Sequence, residues 1–582
     1  MSVCLRWSQV LCLFAGLALA LAGAPGWTQA PEASEEPFAE RVEVEVVNVD
    51  VIVTDREKRR VLDLNEDDFE LLVDGRPVPI EYFAAPRAPA VPALAPENLA
   101  TLPVAATPPP EPIPPTNLIL YVDQTALENR ARHETLRELR EFFATRAEGG
   151  DSVTVAVFEQ NLRVLLLPTS DRARIGQALD ELENRPSLAR LGNGERMQLQ
   201  HDIRNYGRDA ARFPPRFRLA EAQRIEHEIV AWAEQQLDRQ QRSIAALAQM
   251  VDALAAADGR KVVVLATAGI QANPAVALLA ALDQQRGVAT TTDANRAPTL
   301  EGRGLALLAD FERMIQAAQN ARIAFYTVAP GAEAPVENSA EFGSAGPNAD
   351  RPLPRDFAAV EASSSIARMA GATGGASFTI GSDLDRRLEG VAADVDASYS
   401  LGFTTGAEAG DKDHRIEVRT RRAGFEVRHR ESFRRRSAPD RAAASLAAAV
   451  TFGQAENPLE ITLQLGAGKP DGKKKTGEIV PLAVGMPLRL LTLVPEAEVR
   501  RGKVSVRVAI QDARGRLLES PAAIVPIVVP EDQMQLALAS SWYHRAEMRL
   551  APGPQRVAVV VVDELSGLQS TAFVEIEILA AD

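Results

Sequence analysis

The sequence predicts a doubly wound α/β domain with a mostly parallel sheet, flanked by N-terminal and C-terminal β-sandwich-like modules. Two observations carry this. Between Asn117 and Phe403, short apolar or β-branched runs alternate with helical patterns, the mark of a sheet with helices on both faces. Outside that span, residues 40–84 and 439–582 show period-two strands set off by Gly, Pro and Asp turns. At 582 residues the chain is too long for one hydrophobic core, and about three or four domains are expected.

Residues 1–30, "MSVCLRWSQVLCLFAGLALALAGAPGWTQA", carry Arg6, an apolar run from Val10 to Leu21 and small residues near Ala24 and Ala30. The run is shorter than the ~20 residues that cross a bilayer, so a secretory signal is expected, with a retained anchor as the alternative. Both cysteines, Cys4 and Cys12, fall inside it. The mature chain then has no disulfide and no thiolate metal site. No other run approaches a membrane span. The expectation is an exported protein, periplasmic or extracellular.

In the first β module, "VEVEVVNVDVIV" (42–53) alternates apolar and polar residues with one phase slip at Val46–Val47, read as a bulge or bend. Asp74–Gly75 supplies a hairpin turn between "FELLV" and "PVPIEYF". The cluster "NEDDFE" (65–70) reads as a solvated turn with a capping Asp rather than a calcium loop. Residues 85–116 are dominated by Ala and Pro, a stiff spacer between domains.

In the α/β region (117–405), buried strands are legible at "NLILYV", "SVTVAVF", "RVLLL", "KVVVLA", "RIAFYTV" and "ASYSLGF". Helical stripes fall at Leu136, Leu139 and Phe143, and at Ile244, Leu247, Val251 and Leu254. An Arg- and Gln-rich insert, about 184–242, is broken at Pro214–Pro215 and then helical, with Ile225, Ile229 and Trp232 on one face. It reads as a helical excursion over the sheet top, or as a partner-binding arm. Residues 330–355 read as a surface loop. A β-hairpin extension spans 406–436, turning at Ala423–Gly424. From 439 to 582, strands such as "LEITLQL", "KVSVRVAIQD" and "QRVAVVVVD" recur without helices, the pattern of an immunoglobulin- or fibronectin-like β-sandwich. "GAGKPDGKKKTG" lacks the spacing of a phosphate loop and reads as a charged hairpin loop.

Several stretches together carry a resemblance. They are "LILYVDQTALEN", "VNVDVIVTDREKRRVLDLNEDDFELLVDGRPVPIEYF", "LADFERMIQAAQNARIAFYTVAPG", "IARMAGATGGASFTIGSDLDRRLEGVAADVDASYSLGF" and "HRIEVRTRRAGFEVRHRESF". The α/β region resembles a von Willebrand factor type A domain, a Rossmann-like fold, and the mature chain resembles the VWFA-related exported proteins of Acidobacteria. The resemblance implies a metal-ion-dependent adhesion site. Such a site uses an Asp and two hydroxyls from the first loop, a Thr from a second loop and an Asp after the fourth strand, holding Mg²⁺ through hard oxygens. Here Asp123 matches and Thr125 keeps a hydroxyl, but Leu127 replaces the second hydroxyl and Ala268 stands where the Asp belongs. The second-loop Thr is not placed by the sequence, because the insert lies in that part of the chain. The expectation is therefore a degenerate site of Asp123 and Thr125, in which Asp123 caps the following helix and Mg²⁺ is at most residual.

The net charge of −15 argues against nucleic-acid binding. No nucleophile elbow, His-Glu-x-x-His, Walker A or dinucleotide fingerprint is present. The six histidines (133, 201, 227, 414, 429 and 544) are dispersed, and "GATGGASF" (371–378) reads as a Gly-rich turn. The leading expectation is a non-enzymatic scaffold that binds a protein partner without obligatory metal. A metal-dependent adhesion factor and an unrecognised hydrolase are the alternatives.

Overall fold

The computed structural model describes residues 45–86, 116–125, 129–185, 188–209, 214–257, 259–287, 298–329, 356–379, 384–405, 412–470 and 477–579. The leader (1–30), most of the Pro/Ala-rich stretch, the 330–355 loop and the Lys-rich loop at 471–476 lie outside them.

The central domain runs β1 (Asn117–Asp123), α1 (Asn129–Glu148), β2 (Ser152–Phe158), β3 (Leu162–Thr169), α2 (Arg172–Asn184), α3 (Ala189–Asp209) and α4 (Pro215–Ala255). It continues through β4 (Lys261–Ala266), α5 (Val276–Arg286), α6 (Pro298–Asn320), β5 (Ile323–Ala329), α7 (Asp356–Ala372), β6 (Ala376–Thr379) and α8 (Leu384–Asp396). The six-stranded sheet has the order β6-β5-β4-β1-β2-β3. All neighbours are parallel except the edge strand β3, which returns antiparallel beside β2.

The four inner strands, β5, β4, β1 and β2, are buried on both faces. Ile119, Tyr121, Phe158, Val263, Leu265 and Phe325 share one core with α4, α5 and α6. Leu118, Leu120, Val122, Val155, Val264 and Tyr326 share the opposite core with α1, α2 and α8. This is why the strands read as continuous apolar runs rather than alternating ones. Strand order reverses between β4 and β1, so the crevice at their carboxyl ends is the natural ligand position.

The part of the insert after Pro214 and the stripe from Ile244 onward form a single helix, whereas the earlier part of the insert forms α3. α4 has 41 residues, about 60 Å of helix at 1.5 Å per residue. It starts where the sequence stops forbidding it: Pro215 occupies its first turn, where the missing N–H costs nothing. Ile225, Ile229, Trp232, Ile244, Leu247, Val251 and Leu254 are all buried along it.

Two sequence expectations are corrected by strand pairing. "ASYSLGF" is not a strand of the parallel sheet; Tyr399–Thr405 pairs antiparallel with Glu45–Thr54, and the sixth parallel strand is the short β6. The 406–436 segment is not a simple hairpin either. Asp413–Thr420 pairs with Phe69–Val73 and Ser432–Arg434, whereas Glu426–Arg428 pairs with Glu45–Thr54 in the other sheet. The result is two four-stranded sheets, built jointly from the segments 45–84 and 399–434, around Val49, Val51, Phe69, Leu71, Tyr399 and Phe403. The expected bulge at Val46–Val47 is absent from the described strand: register runs unbroken from Glu45 to Val51, and Val46 faces out. The Asp74–Gly75 turn is present, both residues having positive φ (51° and 77°), as a two-residue hairpin turn of this hand requires.

This sandwich is fastened to the α/β domain through Asp394 on α8, whose side chain is 2% exposed. Its Oδ1 accepts from Arg60 Nε (2.9 Å) and Nη2 (2.6 Å), and its Oδ2 from Arg428 Nη2 (2.6 Å) and Tyr326 Oη (3.1 Å).

The C-terminal region consists of a four-stranded and a six-stranded antiparallel sheet facing each other across Val480, Leu482, Val504, Val506, Val557 and Val559. Contrary to the strands-only expectation, it opens with a helix, α9 (Ala438–Phe452). One side of α9 (Ala447, Ala448, Phe452) joins the α/β core, and another (Leu446, Ala449, Val450) packs on Ala558 and Val560 of the sandwich. Small side chains let the helix lie close to both.

At this junction Asp252 of α4 lies beside Glu519, and burial together with the Glu519 charge pushes the Asp252 pKa up to about 6. A folded-state pKa above the unfolded value makes stability greatest below about pH 4 and lowers it as pH rises through 6. Asp252→Asn therefore raises the melting temperature at pH 7.5 and leaves it nearly unchanged at pH 4, provided the fold survives acid; thermal melts at the two pH values check this.

Candidate functional site

β1 delivers Asp123 to the carboxyl end of the sheet at the reversal of strand order. The chain beyond it is held by Gln124, whose N–H donates to Phe158 O (3.0 Å) and whose carbonyl accepts from Leu188 N–H (3.0 Å). Both oxygens of the Asp123 carboxyl group are engaged by protein donors. Oδ1 accepts from Thr125 N–H (2.9 Å) and the Thr125 hydroxyl (2.5 Å); Oδ2 accepts from the Ser243 hydroxyl (3.0 Å). Burial pushes the Asp123 pKa up, opposed by the Thr125 and Ser243 hydrogen bonds and by the Arg239 charge.

The structure thus brings Asp123 and Thr125 together and adds Ser243 of α4, which sequence reasoning did not single out. Ala268 lines the same cavity. Leu127 lies outside the described residues, and so does the start of the turn that Asp123 was expected to cap.

The cavity has a volume of about 170 Å³. α4 forms its roof with Trp232, Gln236, Arg239 and Ser243; Leu265, Phe311 and Met369 supply an apolar side. The helix is fastened to the loop after β4 by a reciprocal pair, Gln240 Nε2 to Gln271 O (3.1 Å) and Gln271 N–H to Gln240 Oε1 (2.7 Å). That loop needs Gly269: its φ is +85°, and a Cβ there would meet the Ala362 carbonyl oxygen at 2.3 Å.

A divalent cation is a poor match for this donor set. Mg²⁺ needs several hard oxygens, with carboxylate charge to offset its dehydration. Here one carboxyl group and two hydroxyls already bond to one another, Ala268 offers no oxygen, and a guanidinium lies nearby. Among the described residues, no three His, Cys, Asp or Glu side chains gather to hold a metal. The histidines are spread through the fold: His133 meets Glu183 on the surface, His414 meets Asp74, and His544 stacks on Trp542.

No protein-family model matches the chain, and no curated protein matches it in sequence. Among solved structures it is similar to the conserved hypothetical protein BatB from Bacteroides thetaiotaomicron, at 12% identity and a TM-score of 0.20 over 48% of this chain and 97% of that one. An aerotolerance-related membrane protein from Bacteroides fragilis gives 10% identity and a TM-score of 0.21, over 48% of this chain and 98% of that one. The pilus adhesin SpaC from Lactobacillus rhamnosus GG gives 8% and 0.25, over 81% of this chain and 52% of that one. At these TM-scores the likeness transfers neither fold nor function.

Among the described residues, no helix is long and apolar enough to cross a membrane. Exposed apolar side chains are spread over the fold; on the α3–α4 excursion Met197, Phe217 and Leu219 are each more than half exposed.

Proposed function

We propose that this chain is an exported, non-enzymatic scaffold that binds a protein partner without a metal ion. The observation that carries the metal-free reading is the roofed Asp123: each carboxyl oxygen is bonded to a hydroxyl of the chain, and one of those hydroxyls belongs to the covering helix. In the metal-dependent alternative the carboxylate must instead face a cation and an incoming acidic group. The α3–α4 excursion that covers the site also presents Met197, Phe217 and Leu219 to solvent. Scattered single apolar residues need no explanation; we assign the partner contact to Phe217 and Leu219, which lie two residues apart in the first turns of α4, the helix that covers the site.

Cross-linking capture from the native envelope tests this reading. The same partner is expected with wild type in EDTA, with wild type in Mg²⁺, and with Asp123→Ala, and is expected to be lost with Phe217→Asp combined with Leu219→Asp. Capture that requires both Mg²⁺ and Asp123 would establish the adhesion-factor reading instead. Turnover in a hydrolase screen, abolished by a point substitution, would establish the enzymatic one.

A further inference from the structure

The cavity under α4 holds more hydrogen-bond donors than the chain uses. The Tyr121 hydroxyl, on a residue 1% exposed, and the Trp232 indole N–H, on a residue 8% exposed, have no partner among the described residues. The Gln236 amide nitrogen is also unpartnered, its carbonyl oxygen being taken by Arg239 Nη1 at 3.1 Å. All three residues line the same cavity. Buried donors without acceptors are costly, and native structures leave few of them. Three around one space call for an acceptor that the described residues do not supply.

The charge of the lining says which kind. Among the described residues it contains two guanidiniums, Arg196 and Arg239, and one carboxyl group, Asp123. Arg239 acts on Asp123 electrostatically. Arg196 has no such counterpart among the described residues, where burial acts on it and pulls its pKa down. The lining therefore has an excess positive charge, next to unused N–H and O–H donors and across from Leu265, Phe311, Ile366 and Met369.

We propose that this cavity binds a small organic carboxylate, with its anionic end on Arg196 and the unpartnered donors and its apolar end against β4, α6 and α7. The size agrees: the cavity measures about 170 Å³, and an apolar cavity of about 150 Å³ takes up benzene. A benzoate-sized molecule fits, whereas inorganic phosphate leaves the apolar side unfilled. The proposal concerns the site discussed above and rests on its metal-free reading, since a cation at Asp123 would compete with Arg196 for the same anion.

Trp232 reports on the cavity directly. Trp7 and Trp27 precede residue 31 and Trp542 lies in the C-terminal sandwich, so residues 31–582 carrying Trp542→Phe have Trp232 as the single indole. Benzoate, benzyl alcohol and inorganic phosphate are titrated against its fluorescence, each with and without Mg²⁺. Saturable benzoate binding is expected without Mg²⁺, at least tenfold weaker in Arg196→Gln and partly restored in Arg196→Lys, with unliganded melting temperatures unchanged. Benzyl alcohol and phosphate are expected not to saturate. No benzoate binding in either condition overturns this proposal alone, and so does binding indifferent to Arg196→Gln or saturation by phosphate in place of benzoate. Benzoate binding that appears only with Mg²⁺ overturns the metal-free reading as well.

Discussion

Asp394→Ala is expected to destabilise the unit formed by the α/β domain and the N-terminal sandwich by about 3 kcal/mol, read as an earlier unfolding transition in denaturant. The carboxyl group is buried and accepts from two guanidiniums and a phenol. Removing it leaves Arg60 and Arg428, both only partly exposed, without their shared counter-charge. The loss exceeds that of a surface pair, which rarely passes about 1 kcal/mol. Because Arg60 and Arg428 come from the sandwich and Asp394 from α8, the damage falls on the join between them. In the Asp394→Ala background, a further Arg60→Ala is expected to cost less than in wild type, since of its bonds to α8 only the one to the Gly390 carbonyl oxygen (2.7 Å) remains.

Gly375→Ala is the second large effect, expected to cost about 3 kcal/mol by overpacking. A Cβ on Gly375 would stand 1.9 Å from the Phe325 carbonyl oxygen. That oxygen belongs to the backbone of β5, inside the sheet, so it cannot swing aside as a side chain would. Gly371, four residues earlier in α7, meets nothing within 4 Å. Gly371→Ala is expected to be neutral or stabilising by up to about 1 kcal/mol, since Ala is the better helix former. Thermal denaturation of the two variants side by side separates a steric requirement from a general intolerance of the "GATGGASF" turn.

The inner strands of the parallel sheet were legible because burial on both faces leaves an apolar run for each, and the end of β1 put Asp123 at the carboxyl edge, whereas the short, half-exposed β6 left no such run. Strand partners were not legible. "ASYSLGF" carries the buried Tyr399, Leu401 and Phe403, but such residues do not disclose whether the neighbouring strand is parallel or antiparallel, and its true partner, Glu45–Thr54, lies some 350 residues away. α9 did have signals: Ser437 accepts from Asp440 N–H while the Asp440 carboxylate accepts from Ser437 N–H, and Gly453 closes the helix with φ 66°. Its Ala-rich composition gave no apolar stripe, because the helix is buried on more than one side. Ser243 illustrates a deeper limit. On an amphipathic helix a lone Ser reads as surface, and only the folded chain shows that it meets a carboxyl group 120 positions earlier. Arg196 and Arg239 were hidden for the same reason, among the many arginines of the insert.

The central claim, that Asp123 is held by the chain rather than by a metal, is tested most directly by calorimetric titration of Mn²⁺. Three proteins are compared: wild type, Asp123→Ala, and a variant carrying Leu127→Ser with Ala268→Asp, which restores the missing hydroxyl and carboxylate. No saturable binding is expected for wild type or Asp123→Ala, and saturable binding is expected for the restored variant. Saturable Mn²⁺ binding by wild type that disappears in Asp123→Ala would contradict the claim.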